Sequence, residues 1–193
     1  MPRRAITFSR GYYYHVFNRG FDKKPVFYTA ENYVYALDLI KKYFRKYSVT
    51  SIAYCLMPNH YHFLLRQDGD LPLGNAIRDI FNAYVQDLNR QRQKSGSLFQ
   101  GRFKAIQIED EAYLIHLCRY IHRNPIDTYP HLVNRIEDWL YSNYPEWIRS
   151  RNGKLVDHDF INSYFKKRKD YSEFVLEQPA AKVFRRMERY LFD

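Results

Sequence analysis

The sequence predicts an α+β fold: a ferredoxin-like (split βαβ) antiparallel sheet with packed helices, followed by a mostly helical C-terminal extension. Three observations predict it. Strand-like and helix-periodic segments follow one another in the order β-α-β-β-α-β and then a further helix. A Pro58-Asn59 break divides two strand-like runs, as a tight hairpin requires. Beyond residue 129 the strand pattern stops, leaving scattered helical patterns, Trp139, Trp147 and the basic run Lys166-Lys-Arg-Lys169. The expected division is therefore 1–128 and 129–193, with no Gly/Ser linker to free the second part as a separate body.

Each element has a local reason. Residues 11–19, Gly-Tyr-Tyr-Tyr-His-Val-Phe-Asn-Arg, are aromatic and β-branched and read as a first strand. Over 31–47, Tyr33, Leu37, Ile40 and Phe44 recur at helical spacing, with cations in the last turn, where a helix end favours them. Val49 to Met57 reads as a strand and His60 to Arg66 as its hairpin partner. Helical period returns over 72–92 through Ile77, Ile80, Phe81, Tyr84, Val85 and Leu88. A polar turn, Lys94-Ser-Gly-Ser97, leads to a fourth strand over 102–108. Residues 110–124 form the next helix, expected to close at Pro125 because a proline pushes its predecessor out of helical geometry.

Composition narrows the partner. Thirty-one Lys and Arg against 21 Asp and Glu give a net charge of +10, and aromatics (19 Tyr, 14 Phe, 2 Trp) make up 18% of the chain. Such a chain can bury enough apolar surface to fold, which excludes a disordered protein, and its 7 Gly and 8 Pro exclude a collagen-like one. Cations neutralise phosphates and rings stack on bases, so nucleic acid is the leading partner. Cys55 and Cys118 make no disulfide framework and read as buried thiols in a reducing compartment. With no secretory-type start and no run of ~18 apolar residues, the expectation is a cytoplasmic, nucleoid-associated protein without a membrane partner.

Two rows of side chains carry chemistry. In the strand His60-Tyr61-His62, alternation puts both imidazoles on one face and Tyr61, Phe63 and Leu65 on the other. Two residues of strand rise separate the imidazoles by roughly 6.6 Å along the backbone, within reach of one divalent cation. On spacing alone the pair also fits surface or hydrogen-bonded strand histidines. On the 110–124 helix, Leu114, Leu117, Cys118 and Ile121 form the packing stripe, and Tyr113, His116, Tyr120 and Asn124 form a second row about 90° away. By itself that row also fits half-buried boundary residues. Only a site shared between strand and helix would decide otherwise.

Several motifs together carry a resemblance. Pro58-Asn-His-Tyr-His-Phe-Leu-Leu65, Leu98-Phe-Gln-Gly-Arg-Phe-Lys104 and Arg119-Tyr-Ile-His-Arg-Asn-Pro125 occur in order. With Tyr14-His-Val-Phe-Asn-Arg19 before them and Trp139 to Tyr144 and Tyr171 to Val175 after, they resemble the single-tyrosine HUH transposases, closest to the REP-associated tyrosine transposases. The resemblance implies a metal-dependent endonuclease and strand transferase acting on single-stranded or hairpin DNA through a covalent 5′-phosphotyrosine. It puts the nucleophile at Tyr120 and the metal ligands at His60, His62 and Asn124. The sequence departs from the family pattern at Tyr61, where an aliphatic residue is usual, and at Ile126-Asp127, where Ala-Gly is frequent.

The implied chemistry is physically coherent. The anionic oxygens of a phosphodiester repel a nucleophile, so a cation must offset the developing charge. A histidine pair with an oxygen donor suits Mg²⁺ or Mn²⁺, although imidazole also holds zinc. Ionising a phenol with a reference pKa near 10 costs about 4 kcal/mol at pH 7. A metal or a cationic neighbour among Lys104, Arg119 and His116 would supply part of that. Candidate DNA contacts are His15, Asn18, Arg102, Lys104, Arg119 and Arg123; His15 and Asn18 read equally well as structural, and Arg102 and Lys104 as a solvated strand end. Tyr113 is a rival nucleophile. A non-catalytic nucleic-acid-binding module is the rival class, because exposed aromatics on such a sheet also bind RNA. A zinc hydrolase ranks last, lacking a further His or acid ligand. Monomer and homodimer are both compatible with the sequence.

Overall fold

A computed structural model describes residues 6–177. The first five residues and the 178–193 end of the expected extension lie outside the described residues. In chain order the main elements are β1 (Tyr13–Arg19), α1 (Ala30–Tyr47), β2 (Val49–Met57), β3 (His60–Gln67), α2 (Leu73–Gln91), β4 (Lys104–Ile108) and α3 (Leu114–Asp127). Three short helices follow: α4 (Tyr144–Trp147), α5 (His158–Tyr164) and α6 (Arg168–Leu176). The four strands form one antiparallel sheet in the order β2-β3-β1-β4, the split-βαβ arrangement expected.

Local chemistry sets the element ends. The Asn32 side chain reaches back over the first turn of α1, its Oδ1 accepting from the backbone N–H of Tyr28 (3.1 Å) and Thr29 (3.3 Å). Ser48, with φ +49°, turns the chain out of α1, and Arg45 and Lys46 sit in the last turn beside its carbonyls. Pro58 and Asn59 connect β2 to β3, and Met57 pairs with His60. Gly11, with φ +84°, makes the turn into β1, and its N–H donates to Gln67 O (2.7 Å).

Three starts fall later than expected, β1 at Tyr13, β4 at Lys104 and α3 at Leu114 after a 3₁₀ turn over Glu111–Tyr113, and the end of α3 differs as well. The helix does not stop before Pro125: α3 runs through it to Asp127, and Thr128 N–H donates to Asn124 O (3.2 Å). A proline in the last turn removes only its own N–H bond, while Pro125 and Ile121 beneath it are buried. Tertiary packing holds the last turn against the local preference of Asn124.

The sheet has two covered faces. Tyr14, Val16, Tyr54, Leu56, Tyr61, Phe63 and Leu65 project to one side and pack with α1 and α2. On that side Tyr61 stacks on Phe81 with centroids 4.2 Å apart and planes 6° apart, a stacking worth about 1 kcal/mol beyond its area burial. Ile52, Cys55, Met57 and Leu64 project to the other side and pack with Leu114, Leu117, Cys118 and Ile121 of α3. The chain after α3 closes over this second face. Trp139 Nε1 donates to Leu56 O (3.1 Å) and Trp147 Nε1 to Ile52 O (3.0 Å), tying the later segment to β2.

A buried polar hub seals the same layer. Asn143 Oδ1 accepts from Tyr54 N (2.8 Å) and from His122 Nε2 (2.9 Å), and its Nδ2 donates to Ile52 O (2.9 Å) and Leu155 O (3.1 Å). The other His122 nitrogen accepts from the Tyr171 hydroxyl (2.5 Å). Every polar atom of the Asn143 amide and of the His122 ring is thereby matched, as burial demands.

Candidate active site

Strand alternation puts His60 and His62 on the α3 side of the sheet, and α3 crosses it with Tyr120 and Asn124 turned toward them. His60 Nε2 stands 3.3 Å from Asn124 Oδ1. The two imidazole centroids are 5.0 Å apart, and the Tyr120 ring lies 5.4 Å from the His62 ring, nearly perpendicular to it. The histidine pair read from the strand and the Tyr120–Asn124 half of the helix row therefore meet, while His116 turns to Phe174.

Hydrogen bonds orient this group. Asn59 Nδ2 donates to Lys23 O (3.1 Å), leaving its Oδ1 to accept from His60 Nδ1 at 2.6 Å. The proton of neutral His60 thus sits on Nδ1 and its Nε2 carries a lone pair. Asn124 Nδ2 donates to Tyr120 O (2.8 Å), which aims Oδ1 at that same nitrogen. Two acceptors consequently face one another at 3.3 Å. Ligands bound at about 2.1 Å to one ion lie roughly 3.0–3.4 Å apart, so the pair fits the bite of a divalent cation. Behind His62, His15 Nε2 lies 3.0 Å from His62 Nδ1.

Electrostatics favours the ligand form of both rings. Burial, partly opposed by the hydrogen bond that a protonated His60 would donate to Asn124, brings His60 down to about 4, and the Arg19 charge adds to the fall. Burial, then the neighbouring His60 and His15 rings, holds His62 well below the usual imidazole value. Both are neutral at pH 7, the state in which imidazole binds metal. Among the described residues no group of three or more His, Cys, Asp or Glu is placed to hold an ion; the side-chain oxygen beside the histidine pair is the Asn124 amide.

A cleft of about 590 Å³ opens onto His60, Tyr120 and Asn124, with Arg19, Lys23 and Tyr129 among its walls. Tyr129 is 98% exposed. A larger cleft, about 870 Å³, lies against α2 and the 97–103 loop and includes Asn18 and Arg102 but none of His60, His62, Tyr120 and Asn124.

The candidate DNA-binding residues divide by exposure. Arg102 and Lys104 are exposed at the start of β4. Asn18 Nδ2 donates to Gly101 O (3.0 Å), bracing the loop that carries Arg102. His15 is 0% exposed and cannot touch a duplex or a strand in this arrangement; it is a partner of His62 instead. Arg119 is buried with its guanidinium 3.7 Å from the Phe174 ring centroid, because its position on α3 faces α6. Arg123 grips Asp127 through Nε (3.0 Å) and Nη2 (2.8 Å) and donates to Val175 O (3.1 Å). Both arginines are thus engaged in packing rather than presented to a ligand.

The expected cationic neighbours of the phenol separate too. His116 lies against Phe174, on the α6 side, and Arg119 with it; Lys104 Nζ lies over the Phe17 ring, 6.0 Å from its centroid. Tyr113 is buried at the 3₁₀ turn before α3, and Cys55 and Cys118 are buried free thiols, pushed up by burial. Sequence reasoning missed Asn59 as the partner of His60, Arg19 and Lys23 in the cleft wall, and the His122–Asn143 hub. The adjacency of Asn59 and His60 was the one available signal.

No helix among the described residues is long and apolar enough to cross a membrane. Comparison with known proteins gives a consistent result. A Haemophilus influenzae protein named "Putative REP-associated tyrosine transposase" is 25% identical over 114 residues, covering 54% of this chain and 64% of that protein. The match thus spans just under two thirds of the relative's length. A solved REP-associated tyrosine transposase, bound to a REP hairpin, superimposes with a TM-score of 0.64 at 18% identity, covering 81% of this chain and 94% of that one. That likeness establishes the fold. The family model "Transposase IS200 like" matches residues 8–124, which take in both histidines, Tyr120 and Asn124, and the chain belongs to that transposase family.

Proposed function

We propose that this transposase is a metal-dependent single-stranded DNA endonuclease and strand transferase that works at hairpin DNA, with Tyr120 as nucleophile. The observation that carries the reading is the convergence of His60 and His62 from β3 with Tyr120 and Asn124 from α3, across 64 residues of chain between His60 and Asn124. His60, His62 and Asn124 would hold Mg²⁺ or Mn²⁺, which when bound neutralises charge developing on the phosphate and lowers the cost of phenolate formation. Hairpin DNA is favoured because the structural neighbour of this fold was solved on a REP hairpin.

The chain's own residues do the rest. Asn59 fixes the His60 tautomer, and the Asn124 amide is anchored on the Tyr120 carbonyl, so ligand and nucleophile move as one unit of α3. Arg19 and Lys23 line the cleft with positive charge suited to a phosphate backbone. The Tyr120 Oη, having released its proton, forms a bond to phosphorus as the P–O3′ bond breaks. The 3′ oxygen takes up a proton and leaves as a hydroxyl, while the 5′ phosphate stays on Tyr120. Because the phosphotyrosine ester keeps the bond energy of the phosphodiester, attack by a 3′-hydroxyl can rejoin strands at the same site. We read residues 1–128 as the part that carries this chemistry and 129–193 as an extension, of which the described residues up to 177 pack on it.

The direct test is incubation with a hairpin-bearing single strand and Mn²⁺, followed by denaturing electrophoresis. The expected result is a denaturant-resistant protein–DNA adduct that EDTA abolishes and that Tyr120→Phe lacks while still binding DNA. Salt-sensitive binding with neither an adduct nor a metal requirement would instead establish a non-catalytic binding module.

A further inference from the structure

We infer that His15 is a positioning residue that sets the tautomer of His62, accepting the His62 Nδ1–H so that Nε2 is left as the ligand atom. The inference rests on the metal site proposed above and goes beyond it by assigning the residue behind the ligand. It also gives a role to a side chain that the sequence suggests for DNA contact.

The geometry follows from strand pairing. On the antiparallel β1–β3 ladder, Phe17 stands opposite His62 and His15 opposite Leu64, so His15 and His62 are diagonal neighbours on one face. Their rings lie with planes 20° apart, and His15 Nε2 is 3.0 Å from His62 Nδ1. Both residues are 0% exposed. β1 is an inner strand, with β4 pairing Ile106 opposite His15 on its far side, so the ring is enclosed in the sheet.

Only one proton can occupy the 3.0 Å gap between the two nitrogens. If His15 Nε2–H donated it, a neutral His62 would carry its own proton on Nε2 and could not bind metal there. If His62 Nδ1–H donates, the His62 Nε2 lone pair is available on the side of the ring that His15 does not occupy. The arrangement repeats what Asn59 does for His60, where an acceptor on Nδ1 leaves Nε2 toward Asn124. Each proposed imidazole ligand is therefore held from behind through its Nδ1, one by a loop amide and the other by a neighbouring strand. Such outer partners orient a ligand ring and raise its basicity.

The test uses the full chain and two readouts independent of DNA cleavage. Long-range ¹H–¹⁵N spectra of the metal-free protein should place the His62 proton on Nδ1. Calorimetric titration with MnCl₂ should give an affinity roughly 10- to 100-fold weaker for His15→Leu, the usual effect of removing such a partner. His15→Gln, whose amide oxygen can accept the same proton, should recover most of that affinity, and it serves also if the leucine variant fails to fold. A His62 proton found on Nε2, or unchanged Mn²⁺ affinity in His15→Leu, would overturn the inference. Wild-type Mn²⁺ binding that persists in a His60→Ala, His62→Ala double variant would overturn the metal site itself, and the metal-free spectra would still decide what His15 does.

Discussion

The Asn124 Oδ1 and the His60 Nε2 face each other at 3.3 Å, both presenting lone pairs, because each side chain's own proton donor is engaged elsewhere. Two acceptors so placed repel one another unless a proton or a cation lies between them. Asn124→Leu should therefore relieve that repulsion, leaving thermal stability equal or slightly higher, while lowering Mn²⁺ affinity and adduct yield by at least ~10-fold. Differential scanning calorimetry beside a Mn²⁺ titration checks both halves, and a leucine variant that keeps full Mn²⁺ affinity would remove Asn124 from the ligand set.

Asn59 makes a second, sharper case, since it touches His60 but not the cleft's reacting atoms. Asn59→Ala removes the acceptor at Nδ1 and frees the ring to flip or change tautomer. Mn²⁺ affinity should fall roughly 10- to 100-fold, whereas DNA affinity measured in EDTA stays unchanged. Equal losses in both would mean that the loop itself had moved.

The DNA-binding cations can be sorted by salt dependence. Removing one cation that neutralises a phosphate should reduce the slope of log Kobs against log[salt] by about 0.7–0.9. Arg102→Ala and Lys104→Ala, at exposed positions, are expected to do so. Arg119→Ala and Arg123→Ala should leave the slope alone and lower the melting temperature, because these side chains pack on α6. A shallower slope in Arg119→Ala would return that residue to the interface.

The buried hub predicts acid sensitivity. Burial, against the Asn143 hydrogen bond, brings His122 down to about 4 in the folded protein. Its unfolded value is near 6.5, so below that pH the unfolded chain binds more protons than the folded one. The stability associated with neutral His122 is fully present above about pH 6.5 and falls away progressively as pH drops toward 4, by up to about 3 kcal/mol. His60 acts in the same direction. Urea midpoints at pH 7 and pH 5 should fall accordingly in the wild type and fall less in His122→Gln; identical slopes for the two proteins would refute the assignment.

Asn143→Ala should be the more damaging change at the same place. It strips partners from Tyr54 N, His122 Nε2 and the Leu155 carbonyl, all within the fold, while Ile52 O keeps its bond from Trp147 Nε1. With ~1–3 kcal/mol for each buried group left unmatched, a drop of about 3 kcal/mol or more in unfolding free energy is expected from chemical denaturation.

Most of the sheet and its helices could be read locally, because alternation, helical period and the Pro58-Asn59 turn are properties of neighbouring residues. β2 is found over the expected residues, and β3 and α1 within one residue of them. The stop at Pro125 could not be read that way. A weak local preference gave way there to the burial of Ile121 and Pro125, which depends on residues far along the chain. The inward placement of His15 and Arg119 could not be read locally either. A basic or imidazole side chain beside a motif looks available for DNA, and only the packing of β1 against β3 and of α3 against α6 turns it inward.

By itself, then, the sequence determined the order of elements, which face of β3 carries the imidazoles, and the row on α3 that carries the phenol and the amide, since each follows from a short-range period. The tertiary structure alone decided that the two rows meet, which nitrogen of His60 is left to a ligand, and which cations remain at the surface. Those outcomes depend on contacts between residues distant in the chain, and no local repeat encodes where one helix comes to rest on a sheet.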